Sequence, residues 1–188
     1  WPDLWTSRAS AKWKGLVPRM LGEGEERQWV IGESQFLAAR NAVSAIRKDG
    51  HKAYGMEFQQ WEIPDVMEAA WNTAKRVEMM DEQGIYAQIA YPNALGFGGQ
   101  RAMSVEPELR LESLRIYNDA MADMQAESGG RILPMALLPW WDVDLSVAEM
   151  ERCAKLGLKG ININPNPNEH GMPSLGEPVW NRLWEACI

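Results

Sequence analysis

Histidine is nearly absent from this chain, with only His51 and His170 among 188 residues. Neither has a second histidine or a carboxylate at ligand spacing, since the neighbouring Glu169 cannot readily converge with His170 on one ion. The residues themselves therefore predict no transition-metal site. Cysteine is equally scarce: Cys153 and Cys187 stand 34 apart in helix-like stretches. They read as buried thiols in a reducing cytoplasm, not as a disulfide framework or a metal clamp. No apolar run approaches the roughly 18 residues that cross a bilayer. Positive charge is in deficit, with a formal net charge of −7, which argues against nucleic acid and anionic membranes as partners. No Gly-x-Ser-x-Gly elbow or Cys/His pair is present. The glycine-rich "LGFGGQ", Leu95 to Gln100, lacks the lysine and hydroxyl residue of a phosphate loop and reads as a mobile loop.

What is abundant is tryptophan and methionine, ten and eleven residues, implying a large apolar surface to bury. The length suits one domain. The first 64 residues show no sustained period. Only "RQWVIGES" suggests a short strand and turn, and the rest reads as an irregular excursion or site cover.

From Asp65 the pattern becomes regular. Asp65 and Glu68 form a capping-box-like start, followed by the stripe Met67, Ala70, Ala74 and Val77 and a stop at Gly84. The strand "IYAQIAY" closes at Pro92. The same order repeats with a helix over 107–128, Gly129–Gly130, "RILPMALL" and Pro139. It repeats again with Ser146 and Glu149 as a capping box, Gly157, "LKGININ" and Pro165. A last helix opens near Pro178. Helices alternating with apolar strands predict an α/β fold with a parallel sheet. The expected strands cover 86–91, 131–138 and 158–163, adjacent in chain order, with helices over 66–83, 107–128 and 145–156 on the outside.

One strand breaks its apolar pattern. In "GLKGININPN", Asn162 and Asn164 alternate with Ile161 and Ile163, although asparagine is a poor strand former. Alternation puts the asparagines on one face and the isoleucines on the other. Sites in parallel βα proteins form at the carboxyl ends of the strands. The asparagines are therefore expected to face a polar cavity there, with Tyr91, Asn93, Trp140 and His170 at the same end as substrate-pocket candidates. The competing reading is structural: amides bonded to neighbouring loops, tryptophan as packing and His170 on an exposed loop.

"RVEMMDEQGIYAQIAYPN", "YNDAMADMQAESGGRILPMALLPWWDVDLSVAEMERCAKLGLKGININPN" and "PSLGEPVWNRLWEA" resemble the amidohydrolase-related family. This is the branch that includes aminocarboxymuconate-semialdehyde decarboxylase and related aromatic-acid decarboxylases. The resemblance implies a metal-dependent hydrolase-type TIM (β/α)8 barrel. It carries a divalent metal, commonly zinc, at the carboxyl ends of its strands. It also implies that residues 65–188 are strands two to four of that barrel and residues 1–64 its N-terminal excursion. The family's usual ligands, a His-x-His or carboxylate-x-His pair, a mid-barrel His and a late Asp, match no residue here, and His170 precedes the helix that the mid-barrel His should follow. The expectation is an incomplete N-terminal half, inactive by itself and without metal or catalytic residues of its own, from a cytoplasmic parent enzyme. That parent is expected to act as a decarboxylase of a small carboxylated cyclic or aromatic compound. The alternatives are hydrolysis of an amide, ester or lactone, and a non-catalytic half-barrel module that self-associates as a homo-oligomer.

Overall fold

In a computed structural model, residues 3–41 and 43–188 are described. Three strands form the parallel sheet: β4 (Gln88–Ala90), β5 (Ile132–Leu137) and β6 (Gly160–Asn162). They lie in the order β4-β5-β6, with Ile89 opposite Leu133 and Leu137 opposite Asn162. Their connections contain α2 (Pro107–Glu127) and α3 (Val143–Lys155). α1 (Thr73–Glu82) precedes the sheet and α4 (Asn181–Ala186) follows it. The expected strands are thus present, adjacent and parallel, each trimmed at its ends.

The faces of the sheet follow from the register. Ala136 shares a core cluster with Tyr117, Ala120 and Met121 of α2. Its partner Ile161 packs with Met150 of α3 and Leu183 of α4. This is the helix-covered face. The opposite face carries Ile89, Leu133, Met135 and Asn162, and there Ile89 remains 55% exposed.

Two helix starts differ from the sequence expectation. Asp65 and Glu68 do not cap a helix: they belong to separate 3-10 turns, Ile63–Asp65 and Glu68–Ala70. The backbone here is used across the chain, with Asp65 O accepting from Lys48 N (3.0 Å) and Met67 N donating to Ile46 O (2.9 Å). α1 begins later, where the side chain of Asn72 accepts from Lys75 N at 3.1 Å. In α3 the cap is Asp142, accepting from Leu145 N at 3.0 Å. Ser146 instead donates to Asp142 O, and Glu149 is fully buried. The glycine stops hold: Gly84, Gly129 and Gly157 follow the ends of α1, α2 and α3 with φ of 67°, 63° and 95°, a region that disfavours other residues.

The segment read as irregular contains a sheet. β1 (Arg19–Leu21), β2 (Gln28–Ile31) and β3 (Gln35–Ala39) form an antiparallel meander. Strands of three to five residues, with a register shift at Trp29/Val30, leave too few alternations to register as a period. Trp29 packs edge-on against Trp5 at 5.8 Å. The Trp5 indole N–H donates to Ser113 O of α2 at 2.8 Å, so the excursion is fastened to the helix layer.

A buried polar network joins the helices to the end of β5. The Asn118 amide accepts from Leu137 N (2.8 Å) and donates to Leu137 O (2.9 Å), standing in for the strand that β4 no longer supplies beyond Ala90. It also donates to Glu149 (2.8 Å). Arg152 and Arg115 hold the same carboxylate, and Arg152 extends to Asp119. Burial pushes the Glu149 carboxyl up; Arg152, Asn118 and Arg115 outweigh it and hold it below the usual range. Beside it, burial pushes the Cys153 thiol up to about 12, which makes it inert. Among the described residues no helix is long and apolar enough to cross a membrane.

Candidate functional site

The loops leaving the three parallel strands meet at one end of the sheet. Residues 93–101 leave β4, 138–142 leave β5 and 163–170 leave β6. The glycine-rich stretch is a seated element, not a mobile one. Leu95, Gly96, Gly98 and Gly99 are buried. The Asn162 amide donates to Phe97 O, and the Trp140 indole N–H donates to Gly98 O at 2.6 Å. Gly98 lies so close to β6 that a Cβ there would stand 2.6 Å from Asn164 Cα. Only glycine allows this approach.

The six sequence candidates divide. Asn162 stands on the face opposite the helices, and its neighbours Ile161 and Ile163 pack into the cluster of Leu138, Trp140 and Trp180. Asn164 is 5% exposed, and its Oδ1 accepts from Asn166 N at 2.9 Å, an Asx turn at the strand exit. The Asn162 Oδ1 and the Asn164 Nδ2 have no partner among the described residues. Tyr91 is 59% exposed, and alternation from Ala90 puts it on the asparagine face. Asn93 is exposed beside it and shares a wall with Tyr91. Trp140 is fully buried with its one donor occupied. Exposed His170 lies against the Trp140 ring at 5.2 Å between centroids. The structure therefore brings Asn162, Asn164 and Trp140 together around residues 97–98, with His170 over the tryptophan.

Residues that the sequence did not single out also line this end. A cavity of about 560 Å³ holds Phe36 and Ala38 of β3, buried Asn41, and Phe97, Gln100 and Arg101 of the first loop. Arg101 donates to Leu37 O at 2.5 Å, tying this loop to β3. Nothing in an "RAMS" stretch marks such a role, because the partner is 64 residues away.

Among the described residues no group of three or more His, Cys, Asp or Glu is placed to hold a metal ion. The His51 ring meets Glu57 at 3.1 Å on the surface, with Trp61 beside it, and Asp49 accepts from its backbone N–H at 3.0 Å. A divalent cation needs three or four converging ligands, so these residues do not make a site for one.

With this architecture in place, comparison with known proteins identifies the class. Residues 38–188 match the family model described as amidohydrolase. The chain belongs to the amidohydrolase family, whose fold is a TIM-barrel-like α/β fold and whose members generally use divalent metals. Among curated proteins it is similar to gamma-resorcylate decarboxylase of Polaromonas sp. (strain JS666 / ATCC BAA-500). The two are 35% identical over 92 residues, which cover 48% of this chain and 27% of that relative. The match thus spans about a quarter of the relative's length.

Proposed function

We propose that this chain is the strand-two-to-four portion of a (β/α)8 barrel whose whole protein decarboxylates a small carboxylated aromatic compound. Residues 1–64 are its N-terminal excursion. The observation that carries this reading is the pair of amides at the end of β6, each using one group to hold a neighbouring loop. Asn162 Oδ1 and Asn164 Nδ2 offer an acceptor and a donor at the carboxyl end of a parallel strand, where barrel enzymes bind substrate. The decarboxylase name of the similar protein supports the reaction class. The family description supports a second reading, hydrolysis of an amide, ester or lactone.

In this reading the asparagines, Tyr91 and Asn93 line one wall, and they bind and orient. The asparagines supply no proton, since amides do not titrate, and no step is assigned to a metal on this chain. Trp140 serves beneath that wall, holding residues 97–98 in place, and His170 covers it. Substrate is a small molecule; nucleic acid and membrane are not partners.

In the whole enzyme, Asn162→Ala or Asn164→Ala lowers kcat or raises KM about tenfold or more, roughly 1–3 kcal/mol for a hydrogen bond to substrate removed from a dry site. Ile163→Ala, on the helix face, leaves both constants in place. It lowers stability towards the small end of the roughly 2–5 kcal/mol range for such truncations. Steady-state kinetics beside urea melts separates the two faces. Asparagine variants that melt earlier but turn over normally would leave the amides with a purely structural role.

A further inference from the structure

A second cavity, about 180 Å³, lies between the end of β4, α1, α2 and the N-terminal segment. Its walls include Trp5, Trp29, Trp71 and Tyr117, and among the described residues the only charged one lining it is Arg76. No carboxylate among the described residues pairs with Arg76. Its Nε donates to Ala69 O (2.7 Å) and its Nη2 to Ala70 O (2.9 Å). This fixes the guanidinium plane and uses two of its five N–H groups. The Nη1 edge is left over. Burial lowers the Arg76 pKa.

A second donor on the same walls is also unmatched: the Trp71 indole N–H is buried with no acceptor among the described residues. Burial raises the Tyr117 phenol, which stays protonated and able to donate. Buried charges are ordinarily paired, and buried donors ordinarily find acceptors. Here the half-buried Arg76, which meets no carboxylate among the described residues, and the orphaned Trp71 N–H share one half-open, aromatic-lined pocket. A cavity of about 150 Å³ takes a benzene ring, and an arginine edge matches a carboxylate.

We propose that this cavity is a binding site for one planar ring bearing a carboxylate, with Arg76 on the anion and the tryptophans around the ring. Tyr91 and Asn93 of the wall assigned above also line this cavity, so the inference extends that reading, but it is tested by binding alone and not by turnover.

The test is titration of the protein with benzoate and with benzamide, an uncharged compound of the same shape, followed by calorimetry and by the tryptophan indole N–H resonances. Benzoate is expected to saturate a single site at least tenfold more tightly than benzamide. It should shift the indole resonance of Trp71, assigned through Trp71→Phe. Arg76→Gln should weaken benzoate at least tenfold and leave benzamide unchanged, and Arg76→Lys should retain part of the preference. Because Arg76 also caps two carbonyls, the wild-type comparison of the two ligands decides even if Arg76→Gln fails to fold. Equal binding of the two, no saturation by benzoate, or shifts confined to other tryptophans would overturn the proposal.

Discussion

Replacing Glu149 with leucine is expected to destabilise the fold by roughly 2–4 kcal/mol. This is towards the lower end for a broken buried ion pair, because the arginine partners reach water. The side chain of Glu149 is fully buried, whereas those of Arg115 and Arg152 are 43% and 33% exposed. The substitution therefore removes the carboxylate and with it the acceptor for Asn118, which in turn holds both backbone groups of Leu137. The melting temperature falls by roughly 4–16 °C for a chain of this length. The sign of the pH dependence follows from the depressed carboxyl. Its folded pKa lies below the ordinary 4.5, so its contribution is present above the unfolded pKa and is lost as pH falls through the folded one. Urea melts from about pH 7 downward should show the wild type losing stability below about pH 4.5 more steeply than Glu149→Leu. Parallel curves would mean that the carboxylate is not held as described.

Trp140→Ala should cost a similar amount, roughly 3–5 kcal/mol, as an emptied core position. Trp140 is fully buried with Leu138, Trp180 and Leu183, and it anchors Gly98 O. The truncation should therefore free residues 95–99 as well as open a cavity. Trp140→Phe keeps most of the packing and loses only the N–H, at about 1–3 kcal/mol for an unmatched buried acceptor. Amide hydrogen exchange across residues 95–99 distinguishes the two effects. Faster exchange there in both variants is expected. Unchanged exchange in Trp140→Phe would show that packing alone seats the loop.

The parallel sheet was legible because glycine and proline punctuate it. A glycine after each helix and a proline after each strand mark three turns that only a βα repeat needs. Alternation in "ININ" correctly separated Asn162 from Ile161 and Ile163, since the strand period leaves one choice once a face is buried. The helix starts were misread for a common reason. A Ser-x-x-Glu or Asp-x-x-Glu spacing states what a cap could do, and only tertiary partners decide whether it does. Glu149 was drawn inward by Asn118 and Arg115, 31 and 34 residues earlier. Asp65 was held by the bridge to residues 46–48. Of the meander only β2 was legible, in "RQWVIGES"; β1 and β3 escaped notice because such strands are shorter than the window that shows a period. Nothing in the sequence singled out Arg76, because the cavity it lines is assembled from segments far apart in the chain. The packing reading of Trp140, weighed against a pocket role from the sequence, agrees with its burial.

The most direct measurement follows the fate of a carboxylate. The whole protein that contains this chain, supplied with zinc, is incubated with ring-hydroxylated benzoates labelled with carbon-13 at the carboxyl group, and labelled bicarbonate is followed by NMR. Metal-dependent appearance of labelled bicarbonate with matching loss of substrate is the expected result, reduced about tenfold or more by Asn162→Ala. Intact benzoates alongside turnover of amides, esters or lactones would contradict decarboxylation and leave the hydrolytic reading in its place.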